Sequence, residues 1–337
     1  MFKGNKYKEI GWFLYPFIQI SIRARIQLEL ILVSRFKKIH LQYSIILINF
    51  LTVLEITLQN NYLTASIYLK GAELFSLKNN TSNREYIWEG NPEFWGKHSP
   101  VLFPIVGTLN DNKYSYNNQS YSMPRHGFAR DKEFKIINIT SEMVIFSLQS
   151  DKETKLKYPF EFELQISYTL EKNNLNIDYK IINKSNEIMP FSIGAHPAFA
   201  LPKQFSSYAL GFEFQEELNS FSLENDLLSD TIVKIPMKEK KLPLTYDLFH
   251  KDALIFKDLK SKSITILEVE HPILKFHYKD FKNFGIWTKT EAPFICLEPW
   301  LGYSDLVTSN GNLEDKEGIQ RIPKNETFDC NFTIEIL

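Results

Sequence analysis

The chain has only two cysteines, Cys296 and Cys330, in 337 residues. A secreted disulfide framework normally uses more, so both read as buried free thiols and the expected location is a reducing cytoplasm. No Cys-x-x-Cys or His-x-x-x-His spacing occurs, which leaves out common zinc motifs. Neither sign of charge is in excess: 39 Lys/Arg against 40 Asp/Glu leave a net of −1. That balance excludes the electrostatic footprint of a nucleic-acid or acidic-polymer binder. Strong helical periodicity is missing. So is any fixed repeat of ~20–50 residues, which argues against a propeller. No Pro/Ser-rich linker divides the chain.

The small net charge hides an uneven distribution. Residues 1–50 hold eight Lys/Arg and two Asp/Glu (+6), and the rest holds 31 and 38 (−7). The longest uncharged runs of this segment, Ile10–Ile22 and Leu41–Leu54, fall short of the ~18–20 apolar residues that span a bilayer. It also lacks an Ala-x-Ala cleavage site. Three readings fit: a surface-lying membrane anchor, an extra packed element, or translated upstream sequence outside the natural protein. The last is preferred. Residues 1–52 are therefore set apart as a basic, apolar extension, and a membrane partner is not expected.

From residue 53 the pattern becomes short alternating runs with Asn/Gly punctuation. Leu54–Gln59 alternates and stops at Asn60-Asn61. Leu63–Leu69 alternates and stops at Lys70-Gly71. Ala72–Leu77 follows, stopped by Asn79-Asn80. Glu163–Leu170 and Leu175–Ile182 flank a turn at Lys172-Asn173-Asn174. Period two with such turns is the hairpin signature. Aromatics at 14%, with 27 Phe, suit half-buried pleated surfaces. Residues 53–337 thus read as one all-β domain, a large sandwich or barrel.

Three polar residues sit in short, geometry-setting peptides. His126 lies in Pro124-Arg125-His126-Gly127-Phe128, a stiff, tight loop. His196 lies in Gly194-Ala195-His196-Pro197, where small neighbours admit close approach. Glu298 ends the apolar stretch Pro293–Leu297 and precedes Pro299-Trp300. A carboxylate where a core residue is expected is costly unless paired or functional. Two imidazoles and a carboxylate are a kit for moving protons at neutral pH, and they point to an uncharged polar substrate such as a sugar. Trp287 and Trp300 are candidates to stack on a sugar face, and Asp247 and Asp252 to accept its hydroxyls. Lys97 is a candidate to reach the substrate. In Trp95–Gly107, Phe103 and Val106 read as core. The same triad also admits a His/His/Glu metal enzyme or a non-catalytic carbohydrate-binding sandwich. The long separations show no metal spacing, so no metal or other cofactor is expected, and a lectin needs no acid/base pair.

Those segments, with Lys70-Gly71-Ala72-Glu73-Leu74, Phe94-Trp95 through Gly107, Gly127-Phe128-Ala129-Arg130, Ala198-Phe199 and Lys316-Glu317-Gly318-Ile319, resemble the aldose 1-epimerase (galactose mutarotase) family, most closely its LacX-like branch. The resemblance runs in order from about Val53 to Leu337. It implies a galactose mutarotase-like β-supersandwich of many antiparallel strands. It also implies cofactor-free interconversion of α and β anomers. His196 would be the acid toward the ring oxygen, Glu298 the base toward the anomeric hydroxyl, and His126 an assistant. The family's galactose enzymes carry an Arg before the first His, where this chain reads Val106-Gly107-Thr108-Leu109-Asn110 and departs from the galactose pattern. A related branch acts on hexose 6-phosphates through Arg residues, and by that resemblance Arg125, Arg130 and Lys97 are candidate phosphate partners. The expected partner is a small sugar or sugar phosphate, and the expected state a monomer or homodimer.

Overall fold

The computed structural model describes residues 55–337. The segment 1–52, and every expectation placed on it, lies outside the described residues. Strands dominate. A nine-stranded sheet runs in the order Lys241–Pro243, Tyr208–Phe212, Ser263–Glu268, His271–His277, Thr327–Ile336, Asn174–Asn183, Phe162–Glu171, Met143–Gln149, Lys135–Ile139. A second sheet runs Leu227–Ile235, Leu218–Glu224, Leu254–Lys257, Asn283–Trp287, Phe294–Leu301, Ile193–Ala195, Val101–Leu102, with Ala198–Ala200 paired to Phe294–Leu301. Neighbours in this second sheet are antiparallel. The one α-helix among the described residues is Lys152–Lys157, started by a capping box between Asp151 and Thr154. No helix among the described residues is long and apolar enough to cross a membrane.

The alternating runs form strands for the expected reason. Phe162–Glu171 and Asn174–Asn183 pair through Asn174↔Glu171, and Lys172 takes the positive φ that the tight turn requires. At Lys70-Gly71 the turn is longer than the sequence suggests. Both Gly71 and Ala72 have positive φ, so the strand starts at Leu74 rather than Ala72.

The two large sheets face one another. Phe276 of the nine-stranded sheet meets Phe284 and Phe199 of the second edge-on, with ring centroids 6.2 and 5.7 Å apart. Apolar residues from both sheets form one continuous buried cluster, which includes Phe103. Strand Phe294–Leu301 shows how this positions the site. Its odd-numbered Ile295, Leu297 and Leu301 enter that cluster. Period two then turns Phe294, Cys296, Glu298 and Trp300 to the other face of the sheet. A carboxylate on that face stands clear of the main core and close to whatever covers the sheet.

Candidate active site

The outer face of the second sheet carries a cavity of about 520 Å³, within the usual range for small-molecule sites. His126, His196 and Glu298 all line it, although 172 residues separate the first from the last. Each reaches it by a different local device.

Glu298 is central in its strand, and Gly285 lies opposite it on the neighbouring strand. A Cβ on Gly285 would stand 2.6 Å from the Trp300 ring and 3.3 Å from Glu298 Cβ. On the other side, a Cβ on Gly194 would stand 2.7 Å from the same indole. Two glycines therefore make room for Trp300 to lie across the sheet beside the carboxylate. His196 follows Gly194-Ala195 at a strand end. His126 sits at φ +66° beside Gly127 at φ +73°. A Cβ on Gly127 would fall 2.1 Å from the Phe103 carbonyl oxygen, so the loop depends on glycine there.

The geometry of the three is tight. His196 Nε2 and Glu298 Oε2 are 3.2 Å apart, and the His126 and His196 rings meet edge-on at 5.9 Å. Glu298 is 2% exposed, His126 7% and His196 8%. Burial pushes Glu298 well above its ordinary value. The Asp252 charge adds to the rise and Arg125 opposes it. The Trp300 indole N–H also opposes it, without making a well-aligned hydrogen bond. Burial pulls the His196 imidazole down to about 3, and the charges of Arg125 and Arg130 add to the fall. The 3.2 Å contact is therefore not a resting ion pair. The imidazole is neutral, and the carboxyl group beside it holds its proton more tightly than an ordinary carboxyl.

His126 is held by one residue twice. Its backbone N–H donates to the Gly107 carbonyl at 2.8 Å, and the Gly107 N–H donates to its Nδ1 at 3.1 Å. Arg125 Nε donates to Nε2 at 3.3 Å, so an N–H faces each nitrogen of the ring. Burial, then the nearby His196, Arg125 and Arg130, hold the ring well below its ordinary value. His126 thus stays neutral.

Trp95 stacks on the His196 ring at 4.7 Å and 24°, while Trp287 meets it edge-on at 5.9 Å. With Trp300 they line one cavity. Arg125 and Arg130 line it as well. Arg130 Nη2 donates to the Arg125 carbonyl at 2.8 Å, and its Nε stands 3.8 Å from Asp131. His250, Lys251 and Asp252 contribute from the stretch after the turn Tyr246–Phe249. Asp252 has φ +149°, a conformation that a side chain rarely adopts, and accepts from the Ala253 N–H at 2.6 Å. Among buried side-chain atoms with no hydrogen-bond partner are His196 Nδ1, Arg130 Nε and Trp300 Nε1, all from residues lining this cavity. Orphaned polar atoms gathered at one place suit a polar ligand.

The structure does not bring Lys97 or Asp247 to this cavity. Lys97 lies 3.7 Å from Asp131 and lines a separate cavity beyond Arg130. Asp247 is exposed in its turn, where its backbone carbonyl contacts His250 Nδ1. Trp95 is the main cavity residue that sequence reading misses. Its signal is a Trp beside Gly96 in a loop, where a core role is hard to satisfy.

Comparison with known proteins agrees with this geometry. The sequence model of the family described as aldose 1-epimerase matches residues 55–316. The chain is 33% identical over 302 residues to the plasmid-borne protein LacX of Lactococcus lactis subsp. lactis, spanning 84% of this chain and 100% of LacX. It is 32% identical to a solved galactose mutarotase related enzyme of Lactobacillus acidophilus, with a TM-score of 0.80 over 84% of this chain and 97% of the other. A galactose mutarotase-like protein of Lactobacillus casei is 31% identical with a TM-score of 0.80, covering 84% and 100%. The protein belongs to the aldose 1-epimerase family, in its LacX-like branch, and has the galactose mutarotase-like fold.

Proposed function

We propose that the protein interconverts the α and β anomers of a hexose or hexose phosphate by acid/base opening and closing of the ring. The observation that carries this is the buried Glu298–His196 pair, 3.2 Å apart. A cyclic aldose is a hemiacetal. Opening it takes a proton from the anomeric hydroxyl and gives one to the ring oxygen.

The pair has two tautomers: carboxylate with imidazolium, and carboxylic acid with neutral imidazole. From the first, Glu298 takes the anomeric proton and His196 Nε2 gives its proton to the ring oxygen. The C1–O5 bond breaks, the aldehyde forms, and the pair is left as the second tautomer. Rotation about C1–C2 and the reverse transfers close the ring on its other face and restore the first. Burial disfavours the charged form of each group, so the second tautomer is the resting one and the first is formed for the transfer. Each positioned proton transfer contributes roughly 10²–10⁴-fold. His126 stays neutral and assists beside the ring oxygen or the neighbouring hydroxyls. Trp95, Trp287 and Trp300 supply apolar surface for C–H faces of the ring. Asp252 is an acceptor for hydroxyls.

Arg125, Arg130 and Lys251 give the cavity wall positive charge suited to a phosphate. Polarimetry of freshly dissolved α-glucose, α-galactose and glucose 6-phosphate tests the reading. Acceleration of any one by catalytic amounts of protein supports it. Sugar binding without acceleration of any would favour a non-catalytic carbohydrate-binding role.

A further inference from the structure

The alternation that turns Glu298 away from the main core puts Cys296, two residues earlier on the strand, on the same face of the sheet. The acid/base chemistry makes no use of this thiol. Its sulfur, a His196 ring nitrogen and a Glu298 oxygen all lie within 4.8 Å of one another, and all three residues are buried.

The donor set is chemically specific. A thiol, an imidazole and a carboxylate suit zinc and its soft relative cadmium, whereas magnesium and calcium prefer all-oxygen sites. The spacing is close to what such an ion needs. Two ligands at about 2.0–2.1 Å on a tetrahedral ion stand roughly 3.3 Å apart. His196 Nε2 and Glu298 Oε2 are at 3.2 Å already. The sulfur has to close in by only about 1 Å, given a Zn–S bond of about 2.3 Å. Three protein ligands leave a fourth position free. Trp88 and Phe294 pack around Cys296, with Trp95 and Trp287 against them, so water competes poorly for the ion.

We propose that His196, Cys296 and Glu298 form an inhibitory site for a thiophilic divalent cation of the zinc class. Binding forms metal–sulfur, metal–nitrogen and metal–oxygen bonds and releases the thiol proton and the carboxyl proton to solvent. No oxidation state changes. The ion occupies the lone pairs of both proton carriers, so it and the sugar exclude one another. The inhibitory consequence rests on the mutarotase reading; ion binding does not.

The test is titration of the full chain with cadmium ion in a non-chelating buffer, following the ultraviolet thiolate-to-cadmium charge-transfer band. One equivalent per chain is expected. The band persists in Cys330→Ser, whose thiol lies elsewhere in the core, and disappears in Cys296→Ser. Glu298→Gln, close to isosteric, weakens binding roughly tenfold or more, since even outer-shell partners are worth 10–100-fold. It carries the test by itself should Cys296→Ser fail to fold. No band at one equivalent, or a band that survives Cys296→Ser, overturns the site. Zinc is then added to the mutarotation assay. Inhibition that is competitive with sugar and reversed by a chelator is expected, and full activity in zinc-loaded protein overturns the inhibitory role. Stoichiometric cadmium binding by a protein that accelerates no sugar would instead count against the proposed function alone.

Discussion

Lys316 and Asp305 form an ion pair whose side chains are 2% and 3% exposed, at 2.8 Å. Burial pulls the Lys316 amine below its ordinary value, and Asp305 offsets only part of that. The pair holds more than itself. Asp305 Oδ2 accepts from the Asn110 N–H at 3.0 Å. The Asp305 N–H donates to the Thr108 carbonyl at 2.8 Å, and the Thr108 N–H donates to Ser304 Oγ at 3.0 Å. Gly107, which fixes the ring of His126, comes immediately before Thr108. Lys316→Met strands the carboxylate in the interior. Breaking one side of a buried pair costs about 3–5 kcal/mol, which lowers the melting temperature by roughly 6–20 °C in a domain of this size. Adding Asp305→Asn removes the stranded charge while keeping an acceptor for Asn110, and most of the loss returns. Displacement of Gly107 by an ångström is also enough to lower the rate on the order of 10²-fold. Denaturant unfolding at pH 7 measures the cost. A loss below about 1 kcal/mol for Lys316→Met, or no recovery in the double variant, refutes the reasoning.

Other outcomes follow from the same contacts. Gly285→Ala drives a Cβ to within 2.6 Å of the Trp300 ring, and overpacking of this kind costs about 1–3 kcal/mol; thermal unfolding and the mutarotation rate both fall, and an unchanged rate shows that Trp300 is not held in place by this glycine. Arg130→Ala lowers the rate on glucose 6-phosphate more than on glucose, and that difference shrinks as salt rises; equal losses mean that Arg130 only braces the His126 loop. His196, whose folded value lies near 3 against an ordinary 6.5, contributes stability that is present above pH 6.5 and is lost as pH falls toward 3. Between pH 6.5 and 5 that loss is about 1.2 units, or roughly 1.6 kcal/mol. Comparing Glu298→Gln with the double variant Glu298→Gln/His196→Asn isolates it, and a stability difference that does not change with pH removes the argument.

Much of this is legible in the sequence, and physics explains the remainder. The hairpin from Phe162 to Asn183 reads directly because period two and an Asn-rich turn are local properties. Glu298 stands out because a carboxylate interrupts an apolar strand. The placement of Gly127 and Gly194 beside two histidines signals tight backbone, and the structure shows what approaches each glycine. Meeting of the three site residues is not a local property. It depends on Phe294–Leu301 pairing with Ile193–Ala195, and on the His126 loop closing over Gly107, both long-range contacts. Lys97 and Trp95 lie two residues apart in one loop and line different cavities, a distinction that no spacing rule draws. The hold on the His126 ring depends on one backbone N–H from 19 residues away. Cys296 reads as a core thiol until its strand is seen to turn it to the same face as Glu298.

The most direct test of the central claim is polarimetric mutarotation of the best sugar by wild type, Glu298→Gln and His196→Ala, with melting measured on the same preparations. The account predicts that each variant keeps a cooperative fold and loses at least about 10²-fold in rate. A near-wild-type rate in either folded variant would contradict it, because the group removed there could not be one that carries a proton.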